Sequence, residues 1–296
     1  MGENTNQRGP ALRIGIVGFG SRANEHLDAL ELNPLAIRIC FVSDPDPGAQ
    51  KLARERFRGI SVGDDLPALL AENPCDLVVV CLPPDIDLTE IAKALSECAD
   101  LKAVLLEKPA ANSSEMAANS LKALSVPVFL FHQMRFLPWI PAAREWYQKR
   151  SVGAESAVSI ETFCYGKFLD QGLHVLDLAC LFAGGLPDRV TRVLAEADPA
   201  RISAQNPLPF DWRLDDSHAG PTLLELEAEW SDGKKYSLKT GPDASRGWLD
   251  KQVRIRFGEG DWIQIGAIGL TLCENGIEQN LHEGTIDDYL IATASV

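Results

Sequence analysis

Between residues 12 and 131 the chain repeats one alternation: a short, mostly apolar run, then a stretch whose apolar residues recur at helical spacing. The apolar runs are "LRIGIVGFG", "IRICFVSD", "GISVG", "CDLVVVCLPP", "KAVLLEKP" and "VPVFLFHQ". Between them lie "SRANEHLDALELN", "PGAQKLARERF", "LPALLAEN", "LTEIAKALSECA" and "SSEMAANSLKAL". Strands without a polar face must be covered on both sides, and helices that bury one stripe each supply that cover. The alternation therefore predicts a doubly wound α/β domain with a six-stranded parallel sheet over residues 1–131.

Beyond residue 131 the pattern changes. One helical stretch, "PWIPAAREWYQKR", is followed by "ESAVSIETFC", "DRVTRVLAEA", "TLLELEAEW", "KKYSLKT", "KQVRIRFG", "DWIQIG" and "LTLCENG". Several of these alternate apolar with polar residues. A second, α+β domain over residues 132–296, with a largely antiparallel open sheet and one wet face, is the expectation.

The end of the first run carries a fingerprint. Gly18-Phe19-Gly20-x-x-Ala23 follows a strand and opens a helix, the setting in which such a turn receives a dinucleotide. Gly18 permits the tight turn, Gly20 lets backbone approach a pyrophosphate, and Ala23 allows close packing of helix on strand. Asp44 ends the second strand 24 residues after Gly20. A carboxylate there accepts ribose hydroxyls and repels a 2′-phosphate, so NAD is favoured over NADP. The domain reads as a Rossmann fold.

The fifth run ends in Glu107-Lys108-Pro109. Proline has no backbone donor and restrains the residue before it, so the sheet stops there and fixes a lysine at a strand tip. In doubly wound sheets ligands bind beyond these carboxyl ends. A solvated loop charge is the ordinary alternative for such a lysine. In the second half Asp170, His174 and Asp177 fall at i, i+4 and i+7, on one face of an expected helix in "FLDQGLHVLDLACLFAGG". A carboxylate one turn from an imidazole orients it and favours its charged form, which suits an acid/base pair. A hydrogen-bonded core histidine is the competing reading.

A formal net charge of −14 repels phosphate backbones and argues against nucleic acid as a partner. Seven scattered cysteines without a C-x-x-C pair fit neither a disulfide framework nor a zinc site, and no metal is expected. The polar start "MGENTNQRGP" lacks a signal-peptide core, and no apolar run approaches the roughly 20 residues of a membrane span. A cytoplasmic protein without membrane contact is expected.

"GFGSRANEH", "EKPA", "RFLP" and "DQGLHVLDLACLFAGG", in this order, resemble the Gfo/Idh/MocA family of NAD(P)-dependent sugar and polyol dehydrogenases, over about residues 12–187. The resemblance implies a catalytic set of Lys108, Asp170 and His174. It implies cofactor contacts from Gly18, Phe19, Gly20, Ser21, Arg22, Asp44, Leu82, Pro83, Glu107 and Lys108. Substrate would meet Arg135, Lys108, Tyr165 and His174, with Trp139, Lys167, His218 and Trp248 as further pocket candidates. It also implies a homodimer or homotetramer built through the C-terminal sheet. The chain departs from the family after the fourth strand, where "CLPPDIDLTE" has Leu82 in place of a threonine and no histidine. It ends at "TIDDYLIATASV", where members continue through further helices, so either a naturally short member or a C-terminally truncated fragment is expected. The implied activity is hydride transfer between NAD and a secondary alcohol of a sugar, cyclitol or nucleotide sugar. NAD-dependent glycoside hydrolysis and a non-catalytic NAD-binding sensor remain as alternatives on the same scaffold.

Overall fold

The computed structural model describes residues 11–31, 37–151, 157–196, 223–241, 249–258, 260–285, 287–289 and 292. The chain divides into two compact units, residues 1–131 and 132–296.

The first unit contains β1 (Leu12–Val17), α1 (Ser21–Glu31), β2 (Ile37–Ser43), α2 (Pro47–Arg56), β3 (Ser61–Gly63) and α3 (Leu66–Glu72). It continues with β4 (Leu77–Val80), α4 (Thr89–Ser96), β5 (Ala103–Leu106), α5 (Ser114–Lys122) and β6 (Val128–Leu130). The six strands form one parallel sheet in the order β3-β2-β1-β4-β5-β6. Because strand side chains alternate, the apolar runs feed two clusters. Val78, Val80, Val104 and Leu106 face Leu66, Leu69, Leu70 and Leu95 of α3 and α4. Ile14, Ile16, Val79 and Leu105 face Ala23 and Leu27 of α1 and Ala53 of α2. Full burial of each such aliphatic chain contributes about 1.5–3 kcal/mol. Local chemistry sets the helix starts: Asp46, Asp65 and Ser113 accept from the N–H groups of Ala49, Ala68 and Met116, satisfying first-turn donors.

The second unit opens with a 3-10 turn (Gln133–Phe136), then α6 (Ile140–Ser151), β7 (Ala157–Tyr165), a π turn (Phe168–Gly172) and α7 (Leu173–Ala183). β8 (Arg189–Glu196), β9 (Leu223–Glu229), β10 (Lys235–Gly241), β11 (Lys251–Phe257), β12 (Asp261–Gly266), β13 (Gly269–Glu274) and β14 (Ile277–Glu283) follow. Together they make an eight-stranded sheet, order β14-β13-β12-β11-β7-β10-β9-β8. It is antiparallel except for the β7–β10 pair. One face holds the core: Ile160, Val253, Ile255, Phe257, Ile263 and Ile265 pack with Val175, Leu178 and Phe182 of α7. The other face carries cross-strand polar pairs such as Arg256 with Glu161, 2.6 Å apart. β14 was not among the expected strands. All seven of its residues are exposed at the sheet edge, so its sequence carries no inward-outward alternation to mark it.

Candidate active site

In the first unit the expected cofactor residues lie at the carboxyl ends of β1, β2, β4 and β5. Gly18 has φ +84°, and a Cβ there would stand 2.4 Å from the Cys81 carbonyl oxygen, so both conformation and space demand glycine. Its N–H donates to the Ser43 carbonyl at 2.8 Å. Gly20 meets nothing within 4 Å in the direction of a Cβ, which leaves its backbone open to a phosphate. Ser21 and Arg22 begin α1, whose first-turn N–H groups and dipole favour an anion. The turn and helix start thus fit a dinucleotide.

Two of these residues do something the sequence did not disclose. The Phe19 side chain is buried in the core, and its N–H donates to Asp44 Oδ2 at 2.6 Å. Asp44 Oδ1 accepts the Asp46 N–H at 2.8 Å. The carboxylate therefore braces the glycine turn and the start of the β2–α2 loop. With about four acceptor directions on two oxygens, it keeps about two for ribose hydroxyls. Leu82 and Pro83 follow β4, the first half-buried and the second exposed.

Lys108 and Glu107 extend β5 and are 5% and 7% exposed, so the lysine is not a solvated loop charge. The Lys108–Pro109 bond is cis. Glu107 reaches α1, where its Oε1 lies 2.6 Å from His26 Nε2 and 4.0 Å from Arg22 Nε. Burial would push this carboxyl up, yet the hydrogen bond with His26 and the charges of Arg22, His26 and Lys108 outweigh it and hold the group below its usual range.

In the second unit Tyr165, Asp170 and His174 are buried around the start of α7. The expectation of one continuous α-helix through Asp170 needs correction. Asp170 sits in the π turn, where the Gly172 N–H reaches back five residues to the Lys167 carbonyl at 3.4 Å, and only His174 and Asp177 are on α7. Gly172 is required there by close approach, since a Cβ would stand 2.6 Å from the Phe168 ring. Gln171 donates to Asp170 Oδ2 at 2.7 Å and fixes its carboxylate. His174 is 2% exposed and its ring stands edge-on to His132 at 6.0 Å. Burial raises the Tyr165 phenol.

Asp177 is also reassigned. Both its oxygens accept from Arg135, at 2.6 Å each, so the pair joins the 3-10 turn to α7 and the Arg135 guanidinium is engaged by a carboxylate of its own unit. That hydrogen bond holds the arginine above its ordinary value. Trp139 is core: it is buried and donates to the Gly266 carbonyl at 3.2 Å. His218 and Trp248 lie outside the described residues. Sequence reasoning missed His26, His132 and Gln171. A signal existed for His26, which falls on the buried stripe of α1 between Ala23 and Leu27.

Residues 12–125 match the model of the Gfo/Idh/MocA oxidoreductase family, described as an NAD-binding Rossmann fold. Galactose 1-dehydrogenase from Pseudomonas fluorescens is 30% identical over 291 residues, spanning 92% of this chain and 84% of that protein. The chain belongs to the Gfo/Idh/MocA family. It is an oxidoreductase with an NAD-binding Rossmann domain, as that family is described. Solved structures share the fold at lower identity. A 3-ketoreductase variant from Actinomadura kijaniata, in complex with TDP-benzene and NADP, is 18% identical with a TM-score of 0.71 over 96% of this chain and 87% of that one. Apo scyllo-inositol dehydrogenase from Lactobacillus casei is 17% identical with a TM-score of 0.70 over 96% and 85%. Among the described residues no helix is long and apolar enough to cross a membrane.

Proposed function

We propose that the protein transfers a hydride between NAD and a secondary alcohol of a sugar, cyclitol or nucleotide sugar. The observation that carries the reading is the span of the galactose 1-dehydrogenase match: it runs through both units, whereas the family model covers residues 12–125 alone. The names of the 3-ketoreductase and the scyllo-inositol dehydrogenase agree with a ketone or an alcohol as the reacting group. Asp44 supports NAD over NADP, because a 2′-phosphate would meet a buried carboxylate already held by two amides.

The nicotinamide supplies the hydride acceptor. His174, buried and so kept from competing solvent, takes the hydroxyl proton as general base. Asp170, held by Gln171, orients the proton-transfer group. Lys108 donates to the substrate oxygen and stabilises the negative charge that grows on it as the proton leaves. The wet face of the second sheet is the surface through which copies of the chain would associate. Seven free cysteines agree with a cytoplasmic location.

The test is NADH appearance by absorbance across aldoses, cyclitols and UDP-sugars. Turnover of at least one class is expected. Release of an aglycone without net NADH would replace this reading with the hydrolase. His174→Asn should lose roughly 100-fold or more of the rate.

A further inference from the structure

His26 stands in the second turn of α1, 7% exposed, with its Nε2 2.6 Å from Glu107 Oε1. Its ring meets Phe131 edge-on, 4.6 Å between centroids. Phe131 is itself anchored, its N–H donating to the Leu106 carbonyl at 2.8 Å. The imidazole is therefore fixed by packing as well as by its hydrogen bond. Glu107 is held from the other side: its N–H donates to the Val80 carbonyl at 2.9 Å, and its Oε2 accepts the Lys108 N–H at 3.0 Å. One carboxylate thus touches both α1 and the peptide that carries Lys108. A glutamate left with the next amide and the long, 4.0 Å approach of Arg22 Nε could still turn about its side-chain torsions. The bond to a packed imidazole removes that freedom.

The α1 helix is the element whose first turn fits the pyrophosphate, and Lys108 is the residue assigned to the substrate oxygen. We infer that His26 is a positioning residue which, through Glu107, ties the backbone of Lys108 to the cofactor helix and so sets the placement of the lysine. The charge state of Glu107 agrees, since its carboxyl stays below the usual range despite burial. The inference rests on the role given to Lys108 above.

His26→Phe keeps a ring against Phe131 and removes the nitrogen that bonds Glu107; His26→Gln keeps a donor of comparable reach. Hydrogen exchange of the Lys108 amide, NADH affinity by fluorescence, and kcat and KM are measured for each. In His26→Phe the Lys108 amide should exchange at least tenfold faster and kcat should fall at least tenfold, with KM and NADH affinity within threefold of the parent. His26→Gln should restore both losses to within about threefold. Should the single variant fail to fold, His26→Leu, which also removes the nitrogen but keeps the Glu107 carboxylate that accepts the Lys108 N–H, is expected to show the same fast exchange. Exchange within twofold of the parent would overturn the inference, as would a kcat loss matched by an equal loss of NADH affinity. The exchange and affinity measurements need no substrate, so they decide the role of His26 independently of the sugar reading.

Discussion

The first sheet is packed on both faces and the second on one, and their polar side chains differ accordingly. In the first unit a charged group near the sheet has no water to turn to, so Glu107 pairs with His26 and Asp44 with two amides. In the second unit the uncovered face carries Arg256 on Glu161, Arg189 on Glu229 and Arg192 on Glu227, all at partly or fully exposed side chains. Buried pairs bind their elements in fixed geometry and are costly to break on one side; exposed pairs are screened and replaceable. Burial, rather than the number of ion pairs, separates groups that position chemistry from groups that decorate a surface.

The sharpest way to probe this contrast is Lys108→Met, which keeps the volume of the stem and removes the donor and its charge. A fall in kcat of about 1000-fold, or roughly 4 kcal/mol of transition-state stabilisation, is expected, with NADH affinity changed only a few-fold. Retention of most of the rate would return this buried lysine to a structural role. Acid unfolding gives a smaller effect with a definite sign. The Glu107 carboxyl lies below its ordinary value in the folded chain, so its stabilisation is complete above the unfolded-state value of about 4.3 and is lost as pH falls through the folded value. The thermal midpoint of the parent should therefore drop more steeply below about pH 4.5 than that of Glu107→Gln. Parallel slopes would place the acid sensitivity in other carboxylates. The smallest effect belongs to the open face: a double-mutant cycle of Arg256→Ala and Glu161→Ala should give a coupling below about 1 kcal/mol. A coupling as large as that of a buried pair would break the comparison.

The first sheet was legible because its strands are apolar on both faces and its glycine turn stands between a strand and a helix. The second was legible in outline, through alternation, and failed at β14, where every side chain is exposed. The expected helix through Asp170, His174 and Asp177 was half right. Spacing alone could not distinguish an α turn from the π turn at Phe168–Gly172, since the two differ by one residue in backbone reach. Nor could it choose partners: Asp177 is one turn from His174 yet binds Arg135, 42 residues away. His26 and Glu107 meet across 81 residues, a contact that only the folding of α1 over β5 creates. Local pattern reads elements well, whereas pairing depends on which elements the fold sets side by side.

Asp44 carries a consequence for redesign. Under the role proposed for Asp44, replacing it is the direct route to admitting a 2′-phosphate. Here the same side chain holds the N–H groups of Phe19 and Asp46. A neutral, shorter residue would relieve the repulsion and at the same time release the glycine turn, so the altered enzyme would hold either cofactor loosely. An engineer would do better to leave Asp44 in place and introduce a cation on the neighbouring α2 helix, where Lys51 and Arg54 already face outward.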